Sequence, residues 1–138
     1  MVAQRCETLL PSVQTIAQEH QVDVGLVIGI LRVESRFNPE ARNRRSGASG
    51  LMQVMPSTGD YFECGDLMDA QANLTCGVRI LKRYLDYFDG DVTYGVSAYN
   101  SGPRMPARAR RGQRLPSNFS YVTRVMETRT KFLREGCH

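Results

Sequence analysis

The sequence predicts an all-α domain with at most a small irregular β element. Three observations carry this reading. Apolar residues recur at helical spacing in successive stretches, Asp23, Asp69 and Asp91 stand at N-cap positions before three of them, and no convincing hairpin signal is present. With 138 residues, no linker and no internal repeat, one domain over residues 1–138 is expected. A chain of this size buries roughly 68–70% of its unfolded surface, enough for a core of its own.

The first helix is read from Leu9, Leu10, Val13, Ile16, Ala17 and His20, with Pro11 in its first turn. Asp23 caps a second helix whose stripe is Val24, Val27, Ile28 and Leu31, continued by Ile30 and Glu34. Pro39 biases Asn38 away from helical backbone, so this helix ends between Ser35 and Phe37. Residues 38–50, with Pro39, Asn43, Ser46, Gly47, Ser49 and Gly50, read as a loop that would hold any β element. Leu51 to Met55 reads as one helical turn before Pro56. Asp69 caps a long helix with Leu74, Val78, Leu81, Leu85 and Phe88 on one face, ended by Gly90. Asp91 opens a short helix through Tyr99, broken by Asn100-Ser101-Gly102-Pro103. Residues 103–116 read as a basic loop. Ser117 caps a last helix with Phe119, Val122, Val125, Met126, Phe132 and Leu133 inward.

Eighteen Lys+Arg against fourteen Asp+Glu give a net charge of +4, and all the basic residues except Lys82 and Lys131 are arginines. The planar guanidinium grips carboxylates and phosphates, so the partner classes are nucleic acid, an anionic membrane surface, or a wall polymer with peptide carboxylates. The densest basic stretch holds Arg104, Arg108, Arg110, Arg111 and Arg114 without an aromatic, which argues against nucleic acid. The longest apolar run, Val24 to Leu31, is too short to span a bilayer, and no signal-peptide pattern follows Met1.

The four cysteines, Cys6, Cys64, Cys76 and Cys137, form no CxxC pair, which argues against a zinc site. An even count in a small chain points to disulfides and an oxidising compartment, periplasmic or exported. Three pairings are open. The favoured one joins Cys64 to Cys76 across a short loop and Cys6 to Cys137 across the two ends.

Glu34 is the most informative residue. It shares the inward face of its helix with Val27 and Ile30, and it lies in the last turn, where the helix dipole disfavours a negative charge. Both effects raise a carboxyl pKa, and an acid that keeps its proton near neutrality can give it to a leaving oxygen. Around it stand Glu34-Ser35-Arg36-Phe37-Asn38-Pro39, then Gly47 to Pro56 (GASGLMQVMP), then Ala98-Tyr99-Asn100-Ser101-Gly102-Pro103, then Tyr121. This set, in this order and approximate spacing, resembles the soluble lytic transglycosylase (SLT) family, lysozyme-like enzymes that cut bacterial peptidoglycan. The resemblance runs from about residue 10 to about residue 127.

The resemblance implies a helical lysozyme-like catalytic domain. Glu34 matches the catalytic acid. Gln53 and Met55 match residues lining the saccharide groove, Tyr99 matches a tyrosine that hydrogen-bonds the catalytic carboxyl, and Asn100 matches its groove-lining neighbour. Gly47 and Gly50 match glycines that let backbone approach the sugar, and Tyr121 matches a tyrosine near the groove. The family usually places a serine nine residues after the glutamate. Here Asn43 takes that position in a loop one residue longer that carries Arg42, Arg44 and Arg45, and Ser46, Asn43 or neither replaces the serine.

The implied reaction is non-hydrolytic cleavage of the MurNAc–GlcNAc β-1,4 bond to 1,6-anhydroMurNAc, with Glu34 as acid then base and no metal or organic cofactor. One rival is a hydrolytic muramidase of the goose-type lysozyme kind, with Asp60, Glu63, Asp66 or Asp69 placing a water. The other is a non-catalytic wall-binding module. Peptidoglycan strands are the expected partner. A bare domain of this size also suggests a partner in a secretion or other envelope-spanning assembly, docked on the arginine stretch or the termini.

Overall fold

Seven helices follow one another in the computed structural model, which describes residues 1–138: α1 (Val2–Glu19), α2 (Val24–Ser35), α3 (Pro56–Tyr61), α4 (Ala70–Tyr87), α5 (Val92–Ser101), α6 (Arg104–Arg111) and α7 (Phe119–Glu135). The only β pairing is two isolated antiparallel bridges, Arg42 with Ser49 and Ser49 with Val54. They fold residues 42–54 into a small three-limbed turn, the minor β element expected there.

The three aspartate caps form as read. Asp23, Asp69 and Asp91 accept from the backbone N–H groups of Leu26 (2.8 Å), Ala72 (2.9 Å) and Thr93 (3.1 Å). Each satisfies an orphan donor of a first turn. Val27, Ile28, Ile30 and Leu31 of α2 are buried with Leu74, Val78 and Leu81 of α4 and Val122 and Val125 of α7 in one core.

Several local readings need correction. Pro11 lies inside α1, because the helix starts at Val2. Its first turns are held down by buried Cys6, bonded to Cys137, and Pro11 itself is exposed. Leu51 to Gln53 form a turn rather than a helical turn, and the helix begins at Pro56, where a proline needs no N–H partner. The basic stretch is not a loop: residues 104–111 form α6. Its alanines and arginines are strong helix formers, Pro106 sits in the first turn where a missing N–H costs nothing, and Arg108, Arg110 and Arg111 lie at the negative end of the helix dipole. Asn118, not Ser117, precedes the last helix, and Phe119 and Leu133 are exposed rather than inward.

α2 packs most extensively against α7. A Cβ on Gly29 would come within 2.5 Å of the Val125 carbonyl oxygen, so only glycine permits this approach. Arg129 of α7 donates to Asp23 (2.7 Å) at the N-terminal end of α2, and Arg32 donates to the carbonyl of His138, beyond the end of α7. The Cys6–Cys137 and Cys64–Cys76 disulfides are both formed, and no free cysteine remains.

Candidate active site

The termination of α2 fixes Glu34. Arg36 and Phe37 both adopt left-handed backbone (φ 54° and 63°), which stops the helix at Ser35 and drives the Phe37 ring into the core at 1% exposure. The buried Ser35 hydroxyl donates to the Leu31 carbonyl. With both neighbours anchored, Glu34 is half-buried and faces a cleft of about 260 Å³. Asn43, Ser46, Gln53, Met55, Thr58, Tyr99 and Asn100 also line it. The residues of all three sequence motifs therefore meet at one place, and Glu34 is the only carboxylate among the lining residues.

Tyr121, brought over Glu34 by the α2–α7 contact, donates its hydroxyl to Glu34 Oε2 at 2.8 Å. Burial pushes the Glu34 carboxyl above its ordinary range, and the Tyr121 hydrogen bond and the Arg124 charge pull it part of the way back. Burial and the nearby Glu34 charge push the Tyr121 hydroxyl well above its usual value, so it stays a donor.

This geometry corrects the role expected of Tyr99. Its hydroxyl donates to the Met52 carbonyl at 2.5 Å, not to Glu34. The hydroxyl that bonds the carboxyl belongs to Tyr121. Tyr99 instead ties α5 to the loop that carries Gln53 and Met55.

Gln53 has left-handed backbone (φ 50°), and its side-chain Nε2 donates to the carbonyls of Ala41 (3.1 Å) and Gly50 (3.0 Å). The amide nitrogen is thus occupied in holding the turn, which leaves Oε1 to accept from a ligand. Met55 is 38% exposed at the cleft edge, an unusual setting for a side chain with no polar group. Both candidates for the family's loop serine line the cleft. The Asn43 carbonyl oxygen Oδ1 accepts from the backbone N–H groups of Arg45 and Ser46, and Ser46 Oγ accepts from Ala48 N–H. The Ser46 O–H and the Asn43 amide N–H groups remain as donors. Asp60, Glu63, Asp66 and Asp69 all lie outside the cleft lining; Asp66 and Asp69 accept from Met68 N–H and Ala72 N–H.

Two residues that the sequence reading passed over organise the site. Asn73, fully buried on α4, accepts from Met52 N–H (2.8 Å) and donates to the carbonyls of Ser49 (2.7 Å) and Leu67 (2.8 Å). It replaces a strand partner for the motif loop. Gly50 is glycine for this reason: its φ is +77° and a Cβ would lie 2.3 Å from Asn73 Nδ2. The close approach that the structure shows at Gly50 is to Asn73. Asn118 accepts from the Ser97 hydroxyl (2.6 Å) and donates to Asn100 Oδ1 (2.9 Å), which orients Asn100 at the cleft edge. No local signal marks Asn73 in the sequence, because its partners lie 6, 21 and 24 residues away.

The fold and the cleft define a lysozyme-like helical domain built around one half-buried acid. Residues 11–120 match the Transglycosylase SLT domain family, and the chain belongs to it. It is 31% identical over 93 residues to the soluble lytic murein transglycosylase of Escherichia coli (strain K12), covering 60% of this chain and 14% of that protein. It is 34% identical over 116 residues to membrane-bound lytic murein transglycosylase C of Haemophilus influenzae, covering 71% of this chain and 32% of that one. The crystal structure of the 70 kDa soluble lytic transglycosylase of Escherichia coli shares the fold, with a TM-score of 0.76 over 92% of this chain and 24% of that one, at 22% identity. The chain thus spans less than a third of the length of these curated relatives.

Proposed function

We propose that this chain is a peptidoglycan lytic transglycosylase that cleaves the MurNAc–GlcNAc β-1,4 bond, and that residues 1–138 act as one catalytic domain. The observation that carries the reading is a single half-buried carboxyl, bonded by Tyr121, in a cleft with no second carboxylate. Glu34 gives its proton to the glycosidic oxygen as the C1–O bond breaks through an oxocarbenium-like state. The carboxylate so formed takes the proton of the MurNAc C6 hydroxyl, whose oxygen attacks C1 and closes a 1,6-anhydro ring. One side chain serves as acid and then as base, and ends as it began. Tyr121 stabilises the carboxylate between the two steps. Gln53 Oε1, Met55, Asn100 and Ser46 hold the sugar, and Tyr99 holds the loop that carries two of them.

The hydrolytic alternative needs an acidic partner for water, and none of the four downstream acids lines the cleft. Family membership and the names of the relatives, which are murein transglycosylases, support the anhydro outcome. Mass spectrometry of digested peptidoglycan is the test: anhydro-muropeptides are expected, and reducing muropeptides alone would reject the transglycosylase outcome.

Two disulfides suit an oxidising compartment, so we place the protein in the periplasm or outside the cell. No helix is long and apolar enough to cross a membrane. A role beside a secretion or other envelope-spanning assembly follows as part of the proposal. Exposed Arg104, Arg108 and Arg111 on α6 offer it a docking face. Capture from solubilised envelope should return a protein dependent on that face; return of peptidoglycan alone would count against it.

A further inference from the structure

The turn from Arg42 to Ser49 forms one rim of the cleft, since Asn43, Ser46 and Ala48 line it. Arg42, Arg44 and Arg45 stand on this rim and are exposed. The ion pairs of the molecule are Lys82–Asp86, Arg110–Asp89, Arg129–Asp23 and Arg134–Glu135, so none of the three has a carboxylate partner. Glu40, two residues before Arg42, is also exposed and outside these pairs. The turn that presents them is built, not slack. Gly47 N–H donates to the Asn43 carbonyl (2.7 Å), Asn43 N–H donates to the Ala48 carbonyl (2.9 Å), and Asn43 Oδ1 accepts from Arg45 and Ser46.

Three unpaired like charges within four residues repel one another and contribute nothing to the fold. An anion bound at the rim removes that repulsion. In the proposed substrate, the lactyl group that carries the peptide stem sits on the same MurNAc ring whose C1 reacts at Glu34. The stem must leave the cleft over a rim, and its free carboxylates match the planar guanidinium fork.

Resting on the glycan-cleavage reading above, we propose that Arg44 and Arg45 bind peptide-stem carboxylates and make the 42–49 turn a specificity element for stem-bearing over stem-free strands. Asn43 and Ser46 fix where the two cations stand, and the cleft beneath them handles the sugar itself. Exposed guanidinium–carboxylate contacts are individually weak and salt-sensitive, so the effect is a preference and not an absolute requirement.

The test compares kcat/KM of the wild type and the double variant Arg44→Gln/Arg45→Gln on three substrates: soluble stem-bearing strands, strands stripped of stems by an amidase with the lactyl carboxyl so exposed then converted to its amide, and strands whose stem carboxyls are converted to amides. The wild type should prefer the first. The variant should lose on the order of fivefold on the first alone and match the wild type on the other two. Added salt should erase the wild-type preference. An equal loss on all three substrates, an unchanged variant, or a wild type indifferent to stem carboxyls would overturn the proposal. Cleavage of none of them by the wild type would instead overturn the glycan-cleavage reading on which it rests.

Discussion

Replacing Tyr121 by Phe removes one oxygen atom and isolates the hydrogen bond to Glu34. The Tyr121 hydroxyl donates to Glu34 Oε2 at 2.8 Å in a largely buried setting. A hydrogen bond to a charged acceptor contributes about 1.5–3 kcal/mol net. The bond favours the carboxylate, so its loss raises the Glu34 pKa further. The limb of the pH–rate profile that reports loss of the Glu34 proton should move to higher pH. The maximal rate should fall, because the carboxylate formed after bond cleavage loses its stabilising donor. The assay is release of soluble muropeptides from purified sacculi across pH, with Tyr99→Phe as the contrast. The Tyr99 hydroxyl donates to the Met52 carbonyl, so that change should move the limb much less. A downward or absent shift in Tyr121→Phe, or an equal shift in both variants, would refute the assigned hydrogen-bond roles.

Three further outcomes follow from the packing. Gly29→Ala places a Cβ against the Val125 carbonyl; denaturant titration should show a loss of about 1–3 kcal/mol, with reduced turnover because Tyr121 moves with α7. Asn73→Ala leaves Met52 N–H and the Leu67 carbonyl without partners and takes one of its two donors from the Ser49 carbonyl, which keeps Val54 N–H; with each orphaned buried group worth about 1–3 kcal/mol, the loss should reach about 2 kcal/mol or more, read by thermal melting beside an unchanged surface control such as Glu127→Ala. Serine replacement of Cys6 and Cys137, which lie 131 residues apart, should lower thermal stability more than replacement of Cys64 and Cys76, 12 apart. Longer loops restrict the unfolded chain more, by about 1–2 kcal/mol between these lengths.

The parts of this fold legible in the sequence are those fixed by local chemistry. Asp23, Asp69 and Asp91 announce their helices because a cap is a contact over three residues. Glu34 was legible because periodicity put a carboxyl on an apolar face. The motifs place Gln53, Met55 and Asn100 at the cleft, and they line it; Ser46 and Asn43, between which the sequence does not choose, both line it. The missed features depend on contacts across the chain. Nothing local distinguishes Tyr99 from Tyr121 as the donor to Glu34; the choice is made by how closely α7 rides over Gly29. Asn73 reads as an ordinary polar residue of α4 until the 49–52 backbone is laid against it. The residues of α6 look like a loop in the sequence because proline and glycine flank them, although Pro106 falls in a first turn that needs no N–H.

The central claim concerns the proton on Glu34, and Glu34→Gln tests it most directly. The amide keeps the shape and hydrogen-bonding capacity of the side chain but can neither donate a proton to a leaving oxygen nor recover one. Muropeptide release from sacculi should vanish while the variant still sediments with them as well as the wild type does. Release at the wild-type rate would show that the bond is broken without this side chain and would contradict the account.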